Sequence, residues 1–182
     1  ESGMLMAVVS MVTMVASPLS GTLSDRFGPV WPSAFGAGAT AAAFFCMLGF
    51  DLQTEITTII LVLILLGLGV GAFQPPNNST IMGAVERKRL GSASALIATE
   101  RQVGISLGMA LAGAIFSARQ TLYQDMLRLE GWNAVQAIRR SIPPAYQEVL
   151  LISAFLALGA MALALLSAWE RTKKKPKKVV ST

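Results

Sequence analysis

From Ile56 to Val85 the chain carries no charged residue. So long an apolar run leaves few structural options. A helix crosses a bilayer core of roughly 30 Å with about 20 residues, and in hydrocarbon a helix satisfies its own backbone hydrogen bonds whereas an open strand does not. Further uncharged runs extend from Ser2 to Ser24, Phe27 to Phe50, Gln102 to Ala118 and Val149 to Trp169. Gln102 to Ala118 alone is too short, and it reaches spanning length only if its helix begins near Leu90 and carries Glu100 and Arg101 into the membrane. The expected fold is therefore all-α and integral to a membrane. Residues 1–118 supply four spans, near 2–24, 27–50, 56–85 and 90–118, joined by turns at 25–26 and 86–89 on one side. Residues 119–148 form a loop on the other side, 149–170 the last span and 171–182 a basic tail. A composition of 53% hydrophobic against 14% charged residues agrees with lipid as the solvent.

Lysine and arginine set the expected orientation. With the tail cytoplasmic, ten of them lie inside (Arg26, Arg87, Lys88, Arg89, Arg171 and five tail lysines) against Arg119, Arg128, Arg139 and Arg140 outside. The positive-inside rule favours that arrangement, and Trp31 and Trp169 then sit near the inner headgroup layer. The tail is short, lacks interleaved aromatics and abuts a span, so its expected partner is membrane lipid and not nucleic acid. In the outer segment Leu122, Met126, Leu129, Trp132, Val135 and Ile138 recur at helical spacing, predicting a helical extension bent at Gly131 and stopped at Pro143 and Pro144. The lone Cys46 has no disulfide partner and reads as a filler in the core or against lipid. With no histidine, no Gly-rich phosphate loop and no serine elbow, the sequence points to no enzyme, metal or cofactor.

Four polar constellations interrupt the apolar runs. Asp25 and Arg26 sit between the first two; the bland reading is a helix cap beside a topology-setting cation. In the third run Gly67, Gly69 and Gly71 permit close helix contact, and Pro75 and Pro76 delete two backbone donors, predicting a kink or break. Gln74, Asn77 and Asn78 cluster there as a cavity site beside irregular backbone, or as wetted amides at an early helix end. Glu100 and Arg101, followed by Gln102, are an ionisable pair inside a span, which marks a functional site or a structural tie. Adjacent side chains point about 100° apart, so one of them is expected to meet another helix. Gly104 and Gly108 form a G-x-x-x-G packing face. Spans two and five hold no strong polar group and are expected to face lipid. Measured from the turn at 86–89, Asn77 and Glu100 lie roughly 12 and 15 Å away, predicting similar depth and a shared cavity.

The motif Gly21-x-Leu23-x-Asp25-Arg26-x-Gly28 resembles the cytoplasmic loop signature of the major facilitator superfamily. The stretch from Gly67 to Ser117 is similar to the penultimate helices of its drug:proton antiporter branch with fourteen spans. The resemblance implies five transmembrane helices forming most of the C-terminal six-helix bundle, with the first helix of that half and the N-terminal half lying in the rest of a longer protein. Glu1, which is not a methionine, gives the same expectation. It further implies a proton-coupled multidrug or small-molecule efflux transporter of the plasma (inner) membrane working by alternating access. Asp25 and Arg26 then belong to a gating loop. Gln74, Asn77, Asn78, Glu100, Arg101 and Gln102 belong to a substrate and proton pathway, with Arg101 tuning how readily Glu100 holds a proton. Where the family supplies basic residues after the last glycine, this chain has Pro29, Val30 and Trp31. A five-helix membrane subunit with an interaction or regulatory role is the alternative.

Overall fold

A computed structural model describes residues 2–51 and 53–173. Among the described residues it contains five long helices, each long and apolar enough to cross a membrane. They are α1 (Ser2–Phe27), α2 (Val30–Met47), α3 (Ile56–Gly83), α4 (Leu90–Leu129) and α5 (Ala134–Lys173), with one 3-10 turn at Arg87–Arg89. Successive helices run in opposite directions, so the connections at 28–29 and 84–89 share one end and those at 48–55 and 130–133 the other. The tail beyond Lys173 lies outside the described residues.

Glycine sets the order of packing. Gly67 and Gly71, one turn apart on α3, meet α1, where an added Cβ would lie 2.9 Å from the Val9 carbonyl oxygen and 2.7 Å from the Ala16 Cβ. Gly69 points the other way, into α2, and faces Gly36 and Thr40. Thus α3 is held between α1 and α2 by backbone-to-backbone approach, the kind of contact that drives helix association where no hydrophobic effect separates helix from lipid. Hydroxyls stitch the first interface: Thr13 Oγ1 donates to the Gly67 carbonyl at 3.2 Å and Ser20 Oγ to the Ala72 carbonyl at 2.7 Å. On its other side α2 meets α5, with Phe45 and Phe155 edge to face at 6.2 Å. The α2 run Ala34–Ala43 is small enough to sit between two helices, and Ala37, Ala41 and Ala43 are buried. This corrects the lipid-facing expectation for the second span: lack of polar groups fixes an apolar environment but does not choose between lipid and protein.

The helices run past several expected breaks. Asp25 and Arg26 are the last turn of α1, not a connection; the helix ends at Gly28, whose φ of +86° is open to glycine, and Pro29 cannot continue it. Asp25 therefore caps no following helix. Pro75 and Pro76 lie inside an unbroken α3, and Pro143 and Pro144 inside an unbroken α5. Pro143 and Pro144 withhold the donors that the Arg139 and Arg140 carbonyls would use, and both of those residues are exposed.

At the far end α4 and α5 continue as a helical hairpin. Gly131, at φ +91°, donates to the Arg128 carbonyl at 3.0 Å, and Trp132 donates to Leu127 at 3.1 Å, closing α4. Asn133 Oδ1 accepts the Gln136 N–H at 2.9 Å and opens α5. Ala137, Ser141 and Ala145, one turn apart, are fully buried, and the Arg140 guanidinium stacks over Trp132 at 3.6 Å. Gln147 Nε2 donates to the Leu48 carbonyl at 3.1 Å, tying this hairpin to the end of α2. Cys46 is exposed near that end of α2, which leaves the lipid-facing reading.

Candidate functional site

Between α1 and α2, Asp25 and Arg26 are exposed and, among the described residues, neither makes an ion pair or a side-chain hydrogen bond. Helical spacing puts Asp25 in line with Gly21, Pro18 and Met14, on the side of α1 opposite the buried Ala16 and Ser20. Asp25 and Arg26 thus face away from α3, toward none of the described helices.

The amides of α3 and the charges of α4 come together. Gln74, Asn77 and Asn78 on α3 and Glu100, Arg101 and Gly104 on α4 line one cleft of about 260 Å³, with Phe73 and Ile97 completing its wall. The two helices touch sparsely, and α4 leans on α5 instead, so the cleft stays open between them. Asn77 and Phe73 also border a second cavity of about 350 Å³ between α2, α3 and α5. Phe73 and Asn77 therefore form a partition between two spaces. Glu100 and Arg101 are exposed and form no ion pair with each other or with another helix among the described residues. Gln102 is exposed and does not line the cleft.

Gly104 and Gly108 differ from expectation. A Cβ added at either would meet nothing within 4 Å, so none of the described helices packs on them. One turn apart and in line with Ile97 and Arg101, they add no side chain to that side of α4 beyond Arg101. In chemical terms the cleft offers one anion, one cation, three amides and an aromatic face. That set can hold a polar or charged solute.

A second cluster has no motif to mark it in the sequence. Arg119 Nε and Glu148 Oε2 lie 2.6 Å apart, and the Tyr123 hydroxyl donates to Glu148 Oε1 at 2.6 Å. This joins α4 to α5 where the hairpin leaves the expected spans. The hydrogen bond to Glu148 raises the Tyr123 phenol above its ordinary value of 10.0, aided by burial and the carboxylate's charge and opposed by Arg119. The signal was positional. Arg119 directly follows one uncharged run and Glu148 directly precedes the next, and the hairpin folds back between them.

Known proteins are similar to this sequence. The family model of the Major Facilitator Superfamily matches residues 1–181. The uncharacterized transporter YebQ of Escherichia coli is 38% identical over 111 residues, 61% of this chain and 24% of that protein. The riboflavin transporter RibZ of Clostridioides difficile is 29% identical over 125 residues, 68% and 27% respectively. The multidrug efflux pump LfrA of Mycolicibacterium smegmatis is 31% identical over 117 residues, 64% and 23% respectively. The matched stretch thus spans about a quarter of each relative's length. A match along nearly the whole chain, on five helices of spanning length, places this integral membrane protein in the major facilitator superfamily.

Proposed function

We propose that the chain is the C-terminal part of a proton-coupled efflux transporter working by alternating access, and that the α3–α4 cleft is its share of the pathway for small-molecule substrate and protons. The observation that carries this reading is the shared lining: three amides on α3 and two adjacent charged residues on α4 border one space. A charged pair in a span is expensive and faces a cavity or a partner. Here both charges border the cleft.

The chemistry follows from charge balance. With Glu100 ionised, the cleft's two charges cancel and the carboxylate is available to a cationic solute. Once Glu100 is protonated, Arg101 stands uncompensated and repels a cation. Proton entry and cation release are thereby alternatives at one site, which is the requirement for exchange. The amides hold the solute's polar atoms, and Phe73 offers a face for a cation or ring. Asp25 and Arg26, on the free side of α1, contact the absent N-terminal half and favour one access state, with Asp25 accepting from the free N–H groups of a helix start. Membrane lipid receives the basic tail on the cytoplasmic face of the plasma membrane. Efflux is favoured over uptake because relatives include an efflux pump and the tetracenomycin C resistance and export protein of Streptomyces glaucescens.

Accessibility tests the reading. With Cys46 changed to Ser, Asn77→Cys and Gly104→Cys are introduced singly into the full-length transporter. Both are expected to react with a water-soluble maleimide, and ethidium, a planar aromatic cation, is expected to slow both reactions. Unreactive thiols at both positions would remove the cleft from the pathway.

A further inference from the structure

Pro76 has no N–H, so the Ala72 carbonyl four residues earlier loses its helical partner. In a helix at membrane depth an orphaned acceptor is costly, and a hydroxyl from a neighbouring helix is one way to satisfy it. Ser20 on α1 does this: its Oγ lies 2.7 Å from the Ala72 oxygen, and the side chain is buried at 5% exposure. Pro76 itself is fully buried. We infer that Ser20 supplies the hydrogen bond Pro76 withholds and thereby positions the α3 turn carrying Gln74, Asn77 and Asn78 against the cleft.

Three observations separate this bond from ordinary hydroxyl decoration of a helix. Ser10, Thr40, Thr80, Thr99 and Ser153 donate within their own helix to the carbonyl four residues back, whereas Ser20 reaches across to another helix. Thr13 also crosses to α3, but it shares its proton with the Val9 carbonyl, and its α3 acceptor is Gly67, whose helical donor four residues on is Gly71, a residue that has its N–H. Only at Ala72 does the hydroxyl from α1 meet a carbonyl stripped of its helical donor. A side-chain tie is also weaker than a helical bond and can be released when α1 and α3 shift. The pair therefore moves as one body while the tie holds, and α3 gains freedom to bend at Pro76 when it opens.

The positioning role rests on the cleft being the transport site; the tie itself does not. Both are read in the full-length transporter with Ser20→Ala, Pro76→Ala and the double variant. Reversible unfolding in mixed detergent and SDS micelles measures the tie, and the KM and kcat of ethidium efflux measure the positioning. Ser20→Ala alone is expected to lower the folding equilibrium about threefold to tenfold and to raise KM more than it lowers kcat. In the Pro76→Ala background residue 76 donates to Ala72 again, so the same change is expected to have little effect on either readout. Ser20→Thr, which keeps the hydroxyl, is expected to behave as the parent, and Thr13→Val is expected to show no dependence on Pro76. Additive effects of Ser20→Ala and Pro76→Ala would overturn the inference. Coupling in unfolding with an unmoved KM would overturn the positioning role and count against the cleft as the transport site, while leaving the tie.

Discussion

Replacing Gly69 by alanine tests the packing that fixes α3. The new Cβ would lie 2.7 Å from the Thr40 nitrogen and 2.9 Å from the Gly36 oxygen, besides meeting the Thr40 hydroxyl, while ordinary contact begins near 3.4 Å. Two of these atoms are backbone, so no rotamer relieves the clash. The helices must part by about 0.7 Å, a gap that forfeits a quarter to a half of each contact along the interface. Overpacking of this kind costs about 1–3 kcal/mol, against a gain of up to about 1 kcal/mol for replacing glycine in a helix. A net loss of about 1–2 kcal/mol is expected in reversible unfolding. Gly104→Ala is the control. Its Cβ meets nothing within 4 Å, so only the propensity gain remains and the variant is expected to be neutral or slightly more stable. Equal losses at the two positions would refute the reasoning, since they would mean that another helix packs on Gly104 and that the cleft is closed there.

Asp25→Asn in the full-length protein is expected to cut efflux severalfold with membrane insertion intact; unchanged efflux would leave Asp25 without a gating role. For the hairpin clasp the sign is set by a phenol whose folded-state value is raised. Its contribution is complete below the phenol's ordinary range and is lost as pH rises through the raised value. Glu148→Gln should therefore bring the Tyr123 absorbance titration back toward its ordinary position, and an unmoved titration would deny the hydrogen bond. Expressed alone, residues 1–182 are expected to insert in the membrane but not to move ethidium, because a transporter half needs its partner to rock against.

The helices themselves were legible, because an uncharged run of spanning length has one stable backbone solution in lipid. Their ends were harder to place. Asp25 and Arg26 look like a break because charge in a membrane protein marks surfaces, yet the end of α1 is decided by the backbone freedom of Gly28 and by Pro29. The prolines misled for a related reason. Sequence shows that Pro76 removes a donor, but the replacement comes from Ser20 on another helix, which only the folded arrangement reveals. Glycines make the same point. Gly67, Gly69 and Gly71 pack as their spacing suggests, whereas Gly104 and Gly108, equally regular, face open space. The shared cleft could be anticipated from depth alone, since both sets of polar residues stand at similar offsets from one turn, and the structure sets them along one space. The Arg119–Glu148–Tyr123 clasp depended on α4 and α5 continuing as helices beyond the expected spans.

The most direct measurement is the pH dependence of efflux by Glu100→Gln in the full-length transporter, reconstituted in vesicles with internal and external pH set independently. If Glu100 carries the proton in exchange for substrate, glutamine fixes the cleft in its uncharged-carboxyl form, and efflux is expected to fall and become nearly independent of pH. A variant that unfolds more easily while its surviving fraction keeps the parent's pH profile would contradict the account and reduce Glu100 to a structural residue.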